Sequence, residues 1–315
     1  MKKALIVGID DYPGAPLRGC VNDANTMATV LESNGDGSPN LDVRLIASPP
    51  STISKSGLKE AISRLFSGNC DMALFYFSGH GVVTSVGGYI VTPDYQRYDE
   101  GISMDEILIM ANDSKAGDKV IILDCCHSGA FGTPTISGSR VAQLSEGLSV
   151  LTASCALESA LEANGGGVFT SLVVDALRGG AADLRGHITP GSVYAYVDQA
   201  LGAWDQRPIF KTNVTRFTSL RRVNPQVPLE TLRKLPTYFP SAEAEHRLDP
   251  SYEFSSVSPN ADNVAIFKDL QKFESVGLVV PVDEEHMYFA AMNSKACRLT
   301  ALGYQYWRLV NEKKL

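Results

Sequence analysis

Residues 74–81 read Leu-Phe-Tyr-Phe-Ser-Gly-His-Gly, and residues 120–129 read Val-Ile-Ile-Leu-Asp-Cys-Cys-His-Ser-Gly. In each stretch an apolar run is followed at once by small and polar residues, which is typical of a buried strand that ends in a loop. Similar runs occur along the first 220 residues, separated by amphipathic stretches at helical spacing. This alternation predicts an α/β fold with a largely parallel sheet and helices on both faces.

The individual runs give the expected elements of this fold. Strands are predicted at 4–9, 43–47, 72–77, 120–123, 148–152 and 208–215, and helices at 22–31, 53–66, 169–177 and 190–201. Ligand chemistry in parallel sheets gathers at the carboxyl ends of the strands, so the residues that follow these runs are the first candidates for a functional site.

The remainder of the chain has a different character. Six prolines fall between Val223 and Pro259 with little periodicity, which favours a linker or an arm. Beyond it, predicted helices at 263–276 and 299–309 flank two predicted short strands at 277–280 and 287–290. We therefore expect three segments: a main domain at 1–222, a proline-rich linker or arm at 223–261, and a small α+β, winged-helix-like module at 262–315.

Composition narrows the class of protein. The chain has 315 residues, 44% hydrophobic and 20% charged, with a net charge of −7, which disfavours a nucleic-acid-coating protein. No apolar run approaches the roughly 18 residues of a membrane span, and Asp10 ends the first apolar run too early for a signal peptide. With six cysteines, we expect free thiols in a reducing compartment, the cytoplasm.

A histidine and a cysteine at the ends of two buried strands can meet over one edge of a sheet. An imidazole near a thiol raises the fraction of reactive thiolate, and the glycines on both sides of His80 leave amide hydrogens for an oxyanion. Three other interpretations stay open: His80 is structural, the cysteine is a small buried hydrophobe, or Cys125, Cys126 and His127 bind a metal with His80. Adjacent ligands are unusual for zinc, so no metal site is expected.

These two stretches resemble the two signatures of caspase-like (clan CD) cysteine peptidases of the metacaspase branch. The pattern Asp-x-Cys-x-Ser-Gly corresponds to residues 124–129, and His80 lies 46 residues before Cys126, close to the separation of about 50 in caspases. The resemblance covers about residues 1–220 and implies a caspase-like sheet and, by analogy, a bacterial member. It extends to three further segments: 19–24, 151–154 and 167–171.

The resemblance implies the roles of the site residues. Cys126 would attack the scissile carbonyl, His80 would protonate the leaving amine, and the backbone amides of Gly81 and Cys126 would stabilise the oxyanion. Asp23 and Asp124 would line the first specificity pocket, and two carboxylates favour a cation, so cleavage after Arg or Lys is expected. The alternative for Asp23 is a charge that stabilises a helix N-terminus. No sequence signal identifies the residue that orients His80.

Calcium activates many members of this branch, but no cofactor is expected to be required here. Residues 84–88 read Thr-Ser-Val-Gly-Gly, where the resemblance leads us to expect an acidic stretch. Five carboxylates remain as candidate Ca²⁺ ligands, although surface carboxylates are usually only solvated. They are Asp94, Asp99, Glu100, Asp105 and Glu106.

Regulation is predicted from two regions. The unpatterned stretch 130–147 has a basic residue, Arg140, as a candidate site of self-cleavage, and an ordinary solvated arginine is the alternative. Residues 262–315 contain seven Lys/Arg and seven Asp/Glu, which makes nucleic acid an unlikely partner and favours a regulatory protein. Three aromatic residues of this segment are candidate partner contacts or core residues: Tyr304, Tyr306 and Trp307.

Two rival functions stay open. One is a transcription-factor-like protein with a vestigial peptidase fold, and the other is a scaffold that binds basic peptides without cutting them. By resemblance, the peptidase would act in stress, cell death or defence.

Overall fold

The computed structural model of the chain describes residues 1–48, 52–85, 87–96, 99–125, 143–153, 162–163, 166–201 and 207–315. These residues divide into two units. Unit 1 comprises Met1–Ala182 and His187–Val223, and unit 2 comprises Asp183–Gly186 and Asn224–Leu315. None of the helices formed by the described residues combines the length and the apolar character of a transmembrane span.

Unit 1 is built from strands that alternate with helices. Its strands are β1 (Lys2–Ile9), β2 (Asp42–Ser48), β3 (Met72–Ser78), β4 (Gly81–Thr84), β5 (Gly87–Gln96), β6 (Asp99–Ser103), β7 (Asp118–Asp124), β8 (Leu148–Thr152), β9 (Glu162–Ala163), β10 (Gly166–Gly167), β11 (His187–Ile188), β12 (Ile209–Asn213) and β13 (Arg221–Arg222). Its helices are α1 (Cys20–Glu32), α2 (Lys55–Phe66), α3 (Met104–Asn112), α4 (Val168–Asp175) and α5 (Pro190–Ala200). A π-helical turn at Ala176–Gly180 follows α4.

Six of these strands form the central sheet, in the order β12-β8-β7-β3-β1-β2. The pairs from β2 to β8 are all parallel, and only the edge strand β12 is antiparallel to its neighbour. The predicted α/β fold with a largely parallel sheet is therefore confirmed. Strand β3 is buried along its whole length, as expected for a central strand that is covered on both faces.

Helices cover both faces of this sheet, and alternate residues of each strand belong to different cores. Phe75 and Leu123 pack with residues of α2 and α3, whereas Tyr76 and Ile122 belong to a second cluster with residues of α1, α4 and α5. Since side chains alternate along a strand, Asp124 at the end of β7 lies on the same face as Ile122. It therefore faces the layer of α1 and α4.

Helix α1 starts without a capping side chain of its own. The Asp10 carboxylate, just beyond β1, accepts hydrogen bonds from the backbone N–H groups of Cys20 (2.9 Å) and Val21 (3.4 Å). These bonds satisfy donors that a helix N-terminus otherwise leaves unpaired. Gly8 of β1 permits the close approach of the helix, because a Cβ at this position would lie 2.3 Å from the Cys20 carbonyl oxygen.

Two features of unit 1 are absent from the sequence-based prediction. Strands β4, β5 and β6 form a separate antiparallel sheet directly after β3, and helix α3 follows it. Ser103 precedes α3 and caps it, because its side chain accepts a hydrogen bond from the Asp105 amide. The region between His80 and β7 is therefore structured along most of its described length.

Unit 2 has its own core and its own sheet, in the order β14-β16-β15, with both pairs antiparallel. The core is formed by residues including Val227, Leu232, Leu235, Phe239, Phe267 and Phe273. The elements of this unit are α6 (Leu229–Leu232), α7 (Leu235–Tyr238), β14 (Glu245–Arg247), α8 (Ala261–Ser275), β15 (Val279–Val282), α9 (Met287–Met292), β16 (Ala296–Leu299) and α10 (Ala301–Asn311).

The structure of unit 2 differs from the expectation in two places. The prediction of a strand at 287–290 is wrong, because these residues form helix α9, and the strand that pairs with β15 is β16. Five core residues come from the proline-rich segment 223–261, which we expected to be a linker or an arm, and residues 224–261 are part of unit 2. The helices predicted at 263–276 and 299–309 are present as α8 and α10. The winged-helix assignment stays a prediction.

Candidate active site

The two strand ends that carry the predicted site residues are neighbours in the sheet. Strands β3 and β7 pair in parallel, and Ser78 lies opposite Asp124 at their carboxyl ends. The Gly79 amide, which follows β3, donates to the Asp124 carbonyl oxygen at 3.4 Å. Cys126 follows Asp124 by two positions, as His80 follows Ser78. Both Cys126 and Arg140 lie outside the described residues.

His80 is held by contacts to its backbone and to its ring. Its N–H donates to the Tyr12 hydroxyl (3.1 Å), and its carbonyl oxygen accepts from the Val91 amide (2.9 Å). The ring centroids of Tyr12 and His80 are 4.6 Å apart. The imidazole Nε2 lies 2.8 Å from the Ala15 carbonyl oxygen. Since a carbonyl oxygen only accepts hydrogen bonds, Nε2 carries a proton, and in the neutral ring Nδ1 is the basic nitrogen.

Ala15 and Tyr12 are brought to this place by a β-turn. Pro13 and Gly14 occupy its two central positions, and the Ala15 amide closes it by donating to the Tyr12 carbonyl oxygen at 3.2 Å. Gly14 has a φ of +80°, the value that the third position of a type II turn requires. The sequence indicates the turn through its Pro-Gly pair. No sequence signal shows that the Ala15 carbonyl orients His80, because any residue supplies such a group.

Tyr12 is a site residue that the sequence analysis missed. Its buried hydroxyl donates to the Val91 carbonyl oxygen at 3.2 Å while it accepts from the His80 amide. Burial raises the pKa of Tyr12 far above its usual range, so the hydroxyl stays protonated. Gly79 leaves the space that this contact needs, because a Cβ there would lie 2.4 Å from the Tyr12 hydroxyl oxygen.

Gly81 begins strand β4, where it lies opposite Ile90 of β5. The Val91 amide donates to the His80 carbonyl oxygen, so Gly81 and Ile90 form a non-hydrogen-bonded pair of the antiparallel ladder. In such a pair the N–H groups point away from the partner strand. The Gly81 amide, predicted to bind an oxyanion, is therefore directed away from β5.

Cys125 lies in the hydrophobic core and not at the surface of the sheet edge. Its side chain is 1% exposed and belongs to the same cluster as Leu123 and Phe77. A thiol in this environment is inaccessible to a peptide substrate, whereas a nucleophile has to reach the scissile carbonyl.

The two predicted pocket carboxylates lie close together. Asp23 in the first turn of α1 and Asp124 at the end of β7 are each 5% exposed. The Gly167 amide donates to Asp23 Oδ2 at 2.8 Å. A Cβ on Gly167 would lie 2.4 Å from Asp124 Oδ2 and 3.2 Å from Asp23 Oδ2. Both carboxylates therefore meet at one backbone position, the residue that precedes α4.

Polar groups that the sequence analysis did not single out surround this pair. The Thr170 hydroxyl donates to Asp124 Oδ2 at 2.5 Å, and the Tyr76 hydroxyl lies 2.7 Å from Thr170 Oγ1. Cys20 also lies near the two carboxylates, and its thiol is hydrogen-bonded to the Ser78 side chain. Burial raises the pKa of the Cys20 thiol well above its usual range, and the nearby charges of Asp10, Asp124 and Asp23 act in the same direction. Cys20 therefore stays a neutral thiol.

Three of the candidate calcium ligands interact with lysine residues. Asp94 accepts from the Lys55 amide (3.0 Å), Asp99 pairs with the Lys55 ammonium, and Glu106 pairs with Lys59 (2.5 Å). Asp105 lies in the first turn of α3. Across the part of the chain that the structure describes, no group of three or more His, Cys, Asp or Glu is arranged to hold a metal ion.

Comparisons with known proteins agree on one family. Residues 1–220 match the peptidase family described as Caspase domain. Metacaspase-1 of Scheffersomyces stipitis is 30% identical over 158 residues, which cover 44% of this chain and 39% of the relative. Metacaspase-4 of Arabidopsis thaliana is 34% identical over 146 residues, which cover 41% of this chain and 34% of the relative. The chain thus spans well under half the length of these curated relatives.

Solved structures show the same fold at low sequence identity. Caspase-1 from Spodoptera frugiperda has a TM-score of 0.51 at 13% identity and covers 70% of this chain and 90% of that chain. A protein from Geobacter sulfurreducens has a TM-score of 0.53 at 16% identity and covers 70% of this chain and 99% of that chain. The predicted caspase-like fold of the first 220 residues is confirmed.

Proposed function

This chain belongs to the caspase-domain peptidase family, and from that membership we propose that it is a cysteine endopeptidase that cleaves proteins after arginine or lysine. The observation that carries the proposal is the meeting of β3 and β7 at one sheet edge, with His80 at one strand end and the Asp124-x-Cys126 sequence at the other. The paired carboxylates beside this edge support the choice of a basic substrate side chain.

In the proposed reaction, the Cys126 thiol gives its proton to Nδ1 of His80, and its sulfur attacks the scissile carbonyl carbon. The amides of Gly81 and Cys126 donate to the oxyanion that forms. The C–N bond then breaks, and the leaving amine takes the proton from His80. Water attacks the resulting thioester, His80 accepts the water proton and returns it to the sulfur, and the carboxylic acid leaves.

The fixed tautomer of His80 supports its role as proton carrier. The Ala15 carbonyl accepts the Nε2 proton at 2.8 Å, which leaves Nδ1 as the nitrogen that gains and loses a proton during turnover. When the ring becomes an imidazolium, the same carbonyl dipole stabilises the positive charge. A dyad of Cys126 and His80 with a backbone acceptor as orienter therefore accounts for the acid–base steps.

Removal of the Tyr12 hydroxyl is expected to slow turnover about three- to tenfold with little change in KM. Tyr12→Phe keeps the ring against His80 but removes a hydrogen bond to the His80 backbone, a loss of about 1 kcal/mol. Steady-state kinetics with an arginine peptide measure the effect, and Tyr95→Phe on an exposed tyrosine is the matched control. An unchanged kcat would show that the hydroxyl does not help to hold His80.

The proposed specificity rests on charge. Asp23 and Asp124 bring two carboxylates to one largely buried place, and a guanidinium or ammonium group offsets the cost of keeping them there. An acidic side chain at the same place would meet like charges. We therefore expect substrates with a basic residue before the cleaved bond.

A panel of fluorogenic peptides tests the proposal directly. The full chain is incubated with peptides that differ only in the residue before the cleavable bond: Arg, Lys, Gln, Leu, Asp and Glu. We expect cleavage of the Arg and Lys peptides at least about a hundredfold faster than of the others. Preference for Asp would overturn the pocket assignment, and basic peptides that bind without being cut would indicate a scaffold instead of an enzyme.

We further propose that the enzyme is a zymogen that cleaves itself after Arg140. Prolonged incubation of the purified chain is expected to give fragments comprising residues 1–140 and 141–315, and Arg140→Ala is expected to remove them. Mass spectrometry of the fragments identifies the cut. The Cys126→Ala chain, incubated alone, is the control and stays intact. Cuts confined to residues 223–259, or full activity of an intact chain, would contradict self-processing at Arg140.

For unit 2 we propose the binding of a regulatory protein through residues 262–315, in a cytoplasmic peptidase of a stress, cell-death or defence pathway. Balanced charge in this segment argues against nucleic acid as the partner. The side chain of Tyr304 is 39% exposed and its ring stacks on Trp307 at 6.0 Å. The Trp307 indole N–H donates to the Phe239 carbonyl oxygen at 2.7 Å, so Trp307 contributes to the structure of the unit as well.

A further inference from the structure

The Asp124 carboxylate is buried at the end of β7, where it needs fixed hydrogen-bond donors. Only 5% of the residue is exposed, and an ionised carboxylate in such a place is costly unless donors surround it. One donor is the Thr170 hydroxyl, 2.5 Å from Asp124 Oδ2. Thr170 itself is 1% exposed and lies in the first turn of α4. The bond therefore ties the strand end to the helix.

The direction of the hydrogen bonds can be assigned from the chemistry of the groups. A threonine hydroxyl has one hydrogen, and Thr170 donates it to Asp124 Oδ2. The Tyr76 hydroxyl, 2.7 Å from Thr170 Oγ1, must then donate to Thr170. Burial raises the pKa of Tyr76 well above its usual range, and Asp124 and Asp23 act in the same direction, so this donor keeps its proton.

The three groups form a relay from Tyr76 through Thr170 to Asp124. Tyr76 is fully buried on β3, so the relay begins on a rigid strand. Each donor in such a chain polarises the next one, which strengthens the bond to the carboxylate. The residue that precedes α4, Gly167, donates to Asp23 at 2.8 Å. The start of α4 thus touches both carboxylates and fixes their relative position.

We propose that Thr170 is a positioning residue for substrate recognition: the relay from Tyr76 through Thr170 holds the Asp124 carboxylate in the place where it receives the basic side chain of the substrate. This inference rests on the proposed specificity for Arg or Lys. Thr170 does not touch the reacting atoms, so its loss acts on binding of the basic group more than on the chemical step.

The test compares Thr170→Val, which keeps the shape of the side chain without its hydroxyl, with Thr170→Ser, which keeps the hydroxyl. We expect Thr170→Val to raise the KM of an arginine peptide and the inhibition constant of agmatine, a guanidinium compound, by about tenfold or more. Thr170→Ser should stay within about threefold of the unsubstituted chain. Ser171→Ala, on the exposed next position of the helix, is the matched control and should change neither constant.

Both constants are independent of the concentration of active enzyme, so a variant that folds poorly still reports on recognition. Tyr76→Phe, which leaves Thr170 in place, is a second test of the relay, because it removes the hydroxyl that donates to Thr170. We expect about a threefold rise in the same two constants. If Thr170→Val and Tyr76→Phe lower the melting temperature but leave the KM and the agmatine inhibition constant unchanged, the relay only stabilises the fold. That result would overturn the inference. If the unsubstituted chain itself shows no preference for basic peptides, the proposed specificity fails, and the inference fails with it.

Discussion

Replacing Cys126 by alanine is expected to lower peptide cleavage at least about a thousandfold, because in the proposed mechanism its sulfur forms the covalent bond to the substrate. The effect is measured as kcat/KM on an arginine peptide, with circular dichroism to show that the fold is retained. The substituted side chain is small and is replaced by a smaller one, so we expect the chain to stay folded.

Cys125→Ala is the matched control for this experiment. Cys125 is packed in the core, so its truncation should lower the stability by about 1 kcal/mol while most of the activity remains. The two variants lie at adjacent positions, and each removes one thiol group. If Cys125→Ala is inactive and Cys126→Ala is active, the assignment of the nucleophile is wrong by one residue.

Neutralising the carboxylate pair is expected to produce the second large effect. Asp23→Asn and Asp124→Asn should each lower kcat/KM for arginine peptides at least about tenfold, since each tenfold step corresponds to about 1.4 kcal/mol of lost interaction. Most of the loss should appear in KM. Asparagine keeps a carbonyl oxygen that can accept from the Gly167 amide or the Thr170 hydroxyl, so both substitutions preserve the shape of the site.

Asp175→Asn, on an exposed carboxylate of α4, is the control for the loss of one negative charge and should change kcat/KM less than twofold. Cleavage of arginine peptides that is insensitive to both pocket substitutions would mean that the basic side chain binds elsewhere. A loss that appears only in kcat would instead place the carboxylates in the chemical step.

The long periodic and apolar segments of unit 1 are predictable from sequence, and the short ones are not. Strands β3, β7 and β8 are buried apolar runs whose bounds agree with the expected ones within two residues at each end. The antiparallel strands β4 to β6 are not predicted, because Gly81 and Gly87–Gly88 interrupt the pattern and β5 ends in three exposed residues. Helix α3 has a recognisable sequence signal, a serine cap followed by Asp105 and Glu106.

Helix α9 shows why short apolar runs are ambiguous. Its six residues, Met287–Met292, include Tyr288 and Phe289, which also suit a strand, and periodicity does not separate the two states at this length. In the proline-rich segment, the composition is misleading for a different reason. It suggests a linker, whereas Val227 and Phe239 of this segment are buried in the core. In both places the tertiary environment decides the structure.

The candidate site was predictable where its chemistry lies in side chains. His80, Asp23 and Asp124 were named from motifs, and the structure brings the two carboxylates to the same backbone position. Tyr12 lies outside every motif, and segment 167–171 contains Thr170 without indicating its partner: each residue has a hydroxyl that contacts a residue far away in sequence. Such long-range pairs depend on strand order and register, which the sequence pattern does not specify.

The Ala15 carbonyl oxygen that accepts from His80 places little constraint on the type of residue at position 15. The side chain of residue 15 is exposed, and the group that acts is the main chain, which is the same in every amino acid. Substitution of Ala15 is therefore expected to leave this contact in place, whereas substitution of Pro13 or Gly14, which set the turn, is expected to disturb it. A main-chain carbonyl can therefore take part in the proposed catalytic site although no particular type of residue in the sequence indicates it.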